Sequence, residues 1–202
     1  MDSWPSRFQD MGFRISTGPV VTFRALEFIS RERNGDDSVP LLSMQNVRPF
    51  EMVWPAKKSK KDAWFRVCND SMPLLLPVKD YLILKRFTAK EEKRRLVAGI
   101  FWAENFPLRS IGLENHLNYI CKTSGSFSKA EIYGLAALFN SALLDRYFRT
   151  INGNTQVNAS DIRTLPLPPV SDICAIGERV QQAMKLTPSE VENVILDQLG
   201  IN

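Results

Sequence analysis

Apolar positions change their period about two thirds of the way along the chain. In the earlier part they come as short bursts of β-branched and aromatic residues between turn signals, the pattern of buried or half-buried strands. Residues 13–28 (FRISTGPVVTFRALEF) place such residues around Gly18-Pro19 and predict strand, turn, strand, with the 24–33 end open to helix. Asn34-Gly35-Asp36-Asp37 predicts a loop, and residues 39–47 an extended segment opening at Pro40. Residues 72–77 form an apolar run bounded by prolines. Residues 81–84 and 96–102 read as buried strands joined by the polar stretch TAKEEKRR, and residues 113–121 as a further strand.

From residue 128 the spacing becomes helical. Ser128 and Glu131 form an S-x-x-E capping box, followed by Ile132, Leu135, Ala136, Phe139, Leu143 and Tyr147 at intervals of three and four. One amphipathic helix over 129–148 is predicted, broken by Asn152-Gly153-Asn154, with a short extended piece at 157–160. Leu165-Pro166-Leu167-Pro168-Pro169 predicts a stiff non-helical strap. A second helix begins after Ser171, with Ile173, Ile176, Val180 and Met184 on one face. A third follows the box Thr187-Pro188-Ser189-Glu190 and stops at Gly200. The expected class is α+β: a mixed small sheet with a packed amphipathic helix and a C-terminal helical tail. Residues 1–170 form the expected main domain, and 171–202 a tail packing on it or on a partner.

At 202 residues, 44% hydrophobic and 24% charged, the chain has ordinary globular composition and length for a core without staples. No apolar run reaches the ~20 residues that span a bilayer, and MDSWPSRFQDMG lacks the apolar stretch of a secretory signal. Cys68, Cys121 and Cys174 are scattered and odd in number, which argues against a disulfide framework or a Cys-x-x-Cys metal site and suits a cytoplasmic location. The net charge of +4 is unevenly spread: residues 1–100 hold 18 basic against 12 acidic residues, and residues 101–202 hold 8 against 10. The cations cluster at Lys57, Lys58, Lys60 and Lys61, and at Lys85, Arg86, Lys93, Arg94 and Arg95. Clustered cations are the footprint of a polyanion ligand, since each neutralised phosphate releases counterions. The plain alternative is a solvated loop and a solvated face.

Phosphate-loop, G-x-G-x-x-G and H-E-x-x-H motifs are absent. His116 is the single histidine, so any Ser-His-Asp or Cys-His pair would have to use it. Asp80 with Glu91-Glu92-Lys93 matches the acid…E-x-K spacing of magnesium-dependent nucleases, but Glu91 and Lys93 sit in a polar connection rather than on an apolar strand. A protein-interaction module docking through the helical tail is a third reading.

The run Ile151-Asn152-Gly153-Asn154-Thr155-Gln156-Val157-Asn158-Ala159, followed by Asp161-Ile162-Arg163-Thr164-Leu165-Pro166-Leu167-Pro168-Pro169, resembles the closing signature of DNA target-recognition domains. It is similar to that of type I restriction specificity subunits and of the C-terminal domains of TaqI-like adenine-specific DNA methyltransferases of restriction-modification systems. The stretch from Ser16 through Thr17-Gly18 to Arg24, the segment from Tyr81 to Phe87 with Glu91 to Arg95, and the helical run from Leu135 to Phe148 with Asn140-Ser141 at its core resemble further parts of the methyltransferase domains. The F-x-G-x-G and [ND]-P-P-[YF] motifs of those methyltransferases do not occur; the sole Pro-Pro, Pro168-Pro169, lies between Leu167 and Val170. The resemblance therefore implies a non-catalytic recognition part. Its partners would be double-stranded DNA and a catalytic domain or subunit that binds S-adenosylmethionine and flips the adenine; no cofactor, metal or membrane is expected for this chain itself.

The residue types suit that role. Asn and Gln pair bidentately with adenine in the major groove, and Lys and Arg fix register on phosphates or read guanine. Asn154, Thr155, Gln156 and Asn158 are accordingly candidate DNA contacts beside the nine cations named above. The alternative for residues 153–158 is a helix C-cap followed by a polar turn.

Overall fold

Alternation along the strand Tyr81–Lys85 sets up the two main cores. Tyr81 and Ile83 point to one face and Leu82 and Leu84 to the other, all at most 1% exposed. A strand buried on both faces needs cover on both. One cover is a layer of helices and the other a second sheet. The computed structural model describes residues 4, 6–56, 63–88, 92–183 and 186–201.

The central sheet has the order Ala98–Phe101, Tyr81–Lys85, Leu117–Lys122, Phe13–Thr17, antiparallel throughout. Leu82 lies opposite Ile100 on one side and Ile120 on the other, and Ile120 opposite Ile15. These residues share one core with the helices α1 (Lys129–Phe139), α2 (Ala142–Ile151), α3 (Ala159–Arg163), α4 (Val170–Gln182) and α5 (Pro188–Gln198). Each fully buried Leu, Ile or Phe there contributes roughly 1.5–3 kcal/mol. The second sheet runs Ile29–Ser30, Ala63–Arg66, Ser38–Leu42, Ser110–Leu113, Leu75–Pro77, with one parallel pairing between Ser38–Leu42 and Ser110–Leu113. Leu42, Ile111 and Leu113 meet Tyr81, Ile83 and Tyr119 between the sheets, while Val39, Leu41 and Phe65 close a smaller third core with Ala25 and Phe28.

The architecture is the α+β arrangement expected, and the strands at 81–85 and 98–101, the proline strap and the helices after 170 and 187 fall where the pattern placed them. The strap Pro166–Leu167 pairs with Ser6–Arg7. Met184 lies outside the described residues; Ile173 and Ile176 are buried on α4 as the period requires.

Several segments differ from the reading by period. The second half of 13–28 is not a strand but two three-residue turns, Thr22–Arg24 and Leu26–Phe28. The 39–47 stretch is interrupted by a turn at Met44–Asn46, because the Asn46 side chain accepts the Ser43 N–H at 2.8 Å and donates to the Val53 carbonyl at 2.9 Å. Residues 113–121 are not one strand. Ser110–Leu113 belongs to one sheet and Leu117–Lys122 to the other, with a turn between them closed by Leu117 N–H on the Glu114 carbonyl at 3.0 Å. The single helix over 129–148 is two. Asn140 bonds the edge of the Ala98–Phe101 strand through the Ala98 N–H (3.0 Å) and carbonyl (2.8 Å), and Ser141 then caps α2 by accepting the Leu144 N–H at 3.0 Å. The break shifts the buried face by one residue: Leu144 and Phe148 are fully buried, Leu143 and Tyr147 only partly. Finally, 157–160 is not extended beyond Asn158, since α3 starts at Ala159.

Helix α4 crosses α1 at close range. A Cβ on Gly134 would lie 1.9 Å from the Ile173 carbonyl oxygen, and one on Gly177 would lie 1.9 Å from that of Ala130. Both positions require glycine for the approach.

Candidate nucleic-acid interface

Between α2 and α3 the chain leaves the helical layer and passes along the end of the central sheet. The 152–158 loop is held there from four directions. From inside, buried Asn152 accepts the Asn154 N–H at 2.8 Å and donates to the Gln156 carbonyl at 3.2 Å and to the Asp161 carboxylate. From the sheet, Asn118, fully buried, donates to the Val157 carbonyl at 2.7 Å while accepting the Thr17 hydroxyl at 2.9 Å. Arg86 receives the Val157 N–H on its carbonyl at 2.7 Å and donates from its guanidinium to Gln156 Oε1 at 3.3 Å. Arg95 donates to the Asn154 carbonyl.

These tethers separate the candidate residues by role. Asn154 and Thr155, with Gly153, form the exposed tip. Gln156 is half-buried beside Arg86, bridged to Phe87 through its backbone. Asn158 stands at the start of α3, its N–H and side-chain amide directed to Asp161 Oδ2 at 3.3 and 3.2 Å.

The cations divide in the same way. Lys93 is exposed, and Lys85, Arg86 and Arg94 are half-buried. Arg95 is 3% exposed, with its Nε on Thr88 Oγ1 at 2.9 Å and its plane over the Phe148 ring at 5.9 Å. Burial and the neighbouring Arg149 push its pKa down, with Asp145 acting in the opposite sense. Asp145 accepts the Arg95 and Leu96 backbone N–H groups at 2.6 and 2.7 Å and pairs with Arg149 at 2.8 Å. Lys57, Lys58, Lys60 and Lys61 lie outside the described residues.

The bonded edge continues past the loop. Arg86 Nη1 donates to the Asn115 carbonyl at 3.0 Å, and the Phe87 and His116 rings meet edge to face at 5.0 Å. Glu114 faces His116 Nδ1 at 3.8 Å and accepts the Thr22 hydroxyl at 3.0 Å. Four chain segments, 22–26, 86–87, 114–116 and 152–156, are thus joined into one edge. Two of them, 86–87 and 152–156, overlap the candidate contact segments of the sequence, and the third falls inside 113–121, which the period reads as one strand. The Thr22–Arg24 turn lies in a stretch that the period reads as strand; its one signal is that Phe23 and Leu26, three residues apart, cannot share one face of a strand.

The nuclease spacing is not assembled as a metal site by what is described. Asp80 accepts the Ala103 N–H at 2.9 Å, Lys93 is exposed, and Glu91 lies outside the described residues. Among the described residues no group of three His, Cys, Asp or Glu side chains is placed to hold a metal ion, and no helix is long and apolar enough to cross a membrane.

No protein-family model matches the chain. It is 38% identical over 176 residues, 87% of its length, to the type II methyltransferase M.PstI of Providencia stuartii. It is 35% identical over 198 residues, 95% of its length, to the type II methyltransferase M.BsuBI of Bacillus subtilis. The chain spans 34% of the first protein and 39% of the second. Among solved structures, the HsdS subunit from Thermoanaerobacter tengcongensis overlaps 94% of this chain and 44% of its own, at 11% identity and a TM-score of 0.37, too loose an overlap to argue from.

Proposed function

We propose that this chain is the DNA-recognition part of a type II restriction-modification methyltransferase acting on adenine N6. It selects the site for a catalytic part that binds S-adenosylmethionine and works in the cytoplasm. The observation that carries the reading is the 152–158 loop, held at its base by Asn152, Asn118, Arg86 and Arg95 while Asn154 and Thr155 face outward. Support comes also from the similarity to one stretch of two type II methyltransferases. A base reader needs polar groups at fixed positions, because a bidentate contact tolerates little displacement. Here the fixing is done by protein–protein hydrogen bonds, which leaves the tip to the ligand. Exposed Lys93, two residues from Arg95, and half-buried Lys85, next to Arg86 in sequence, are the cations we assign to the phosphates beside that edge.

The sole Pro-Pro is spent structurally: Pro168 is buried, and Pro169, with φ −51° and ψ 151°, ends the strap just ahead of α4.

The test is selection of duplexes from a random-sequence pool by the chain, followed by binding to single-base variants of the enriched site. The expected result is a fixed short site, and an affinity falling by about 0.9 log units per tenfold rise in salt for each phosphate contacted. Asn154→Ala is expected to cost about 1–3 kcal/mol at one base position, without change in melting temperature. Enrichment of no sequence, with Asn154→Ala binding every duplex as the unaltered chain does, would remove the reading.

A further inference from the structure

Phe23 and Leu26 are 72% and 65% exposed, the two most exposed large apolar side chains among the described residues. They do not lie on a slack loop. Arg24 N–H bonds the Val21 carbonyl at 2.9 Å, Ala25 N–H that of Thr22 at 3.2 Å, and Phe28 N–H that of Ala25 at 3.0 Å. Ala25, 1% exposed, and Phe28, 8% exposed, root the segment in the third core, where Phe28 packs on Phe65 at 5.8 Å. Thr22 fastens it to Glu114 and so to the edge carrying His116, Phe87 and Gln156. Arg24 lies over the Phe23 ring at 5.4 Å, placing a cation beside the apolar tip.

Side chains of this size gain by leaving water, and Phe23 and Leu26 are held three residues apart on one braced segment with a cation between them. A protein partner is poorly served: a stable contact buries about 800 Å² on each side, and two side chains separated by Arg24 and followed by Glu27 supply only a fraction of that. A gap between stacked bases suits them better. It takes one or two apolar side chains, excludes water from them, and offers a phosphate to the adjoining cation.

We propose that Phe23 and Leu26 form a rigid wedge that enters the base stack of bound duplex DNA, with Arg24 on the flanking phosphate. The wedge rests on the DNA-recognition reading above and adds to it a way of deforming the duplex. A site so contacted is chosen partly by how easily its base step opens.

The experiment uses a duplex enriched by the unaltered chain from a random pool. The double variant F23A/L26A is expected to lose about tenfold or more in affinity with its salt slope and melting temperature unchanged, as both side chains are exposed. Arg24→Ala should instead flatten the slope by about one unit. Phe23→Trp keeps the bulk, and its added fluorescence should be quenched on binding as the ring stacks on bases. Unchanged affinity of F23A/L26A together with no quenching of Phe23→Trp overturns the wedge while leaving DNA recognition standing, and assigns the patch to a protein contact. Failure of the unaltered chain to retain any duplex removes the recognition reading, and the wedge with it.

Discussion

Where α1 crosses α4, the helices meet backbone to backbone; where the 152–158 loop crosses the end of the sheet, side chains do the joining. At the crossing, Gly134 and Gly177 leave no room for even a Cβ against the facing backbone carbonyls, with Ile173 and Ile176 buried beside it. At the loop, the partners are amides, guanidinium groups and carbonyls, each contributing about 1 kcal/mol net. The first joint has one geometry and fails as a whole. The second is a set of separable tethers, so parts of it can loosen while the core stays packed. The proposed contact chemistry sits on the second kind of joint: a tip whose position is tuned by several weak bonds can be altered without unfolding the domain.

The largest effect expected is at the crossing. Gly134→Ala forces the helices apart and should cost about 3 kcal/mol or more, read as a large drop in denaturation midpoint or as insoluble protein. A loss under 1 kcal/mol would mean that the crossing is as adaptable as the loop.

Next comes the anchor of the Arg95 segment. Asp145→Ala strips the Arg95 and Leu96 N–H groups of their acceptor and leaves Arg149 without its carboxylate, for about 2–4 kcal/mol. Amide exchange should rise at 93–96 and 153–155 before it rises in α1 and α4. Uniform acceleration would show that loop and crossing open together.

Asn152→Ala should cost about 1–2 kcal/mol, since it orphans the Asn154 N–H and the Gln156 carbonyl near solvent rather than in the core. Its signature is faster exchange confined to the loop and, in DNA binding, weaker discrimination rather than weaker salt dependence.

The smallest effect concerns acid. Burial raises the Glu131 pKa, but the Lys122 ammonium and the Ser128 hydrogen bonds outweigh it, so the carboxyl lies below its ordinary 4.5. A folded-state value lower than the unfolded one gives stability that is present above about 4.5 and lost as pH falls through the folded value. Glu131→Gln should therefore lower stability at neutral pH by about 1 kcal/mol or less, read as a slightly lower melting temperature, and flatten its fall in acid. Because Glu131 ties α1 to the Leu117–Lys122 strand, a steep acid limb persisting in Glu131→Gln would place the acid sensitivity elsewhere.

Features that depend on neighbours in sequence were legible without coordinates. The boxes Ser128/Glu131 and Thr187/Glu190, the apolar run at 81–84 and the proline strap are each set by residue types within a few positions of one another. Tertiary structure decided whatever required a distant partner. Asn140 ends α1 because Ala98 lies beside it, and the 110–122 segment splits because each half has a different sheet to join. Lys93 and Arg95, two residues apart in one basic run, part company because Thr88, Asn154 and Phe148 can receive a guanidinium at one position only. Charge patterning treats the run as uniform. Phe23 shows the converse: its apolar character predicts burial, and the turns around it instead hold it in solvent. Period and capping are local energies written along the chain, whereas exposure depends on which distant segment the fold brings alongside.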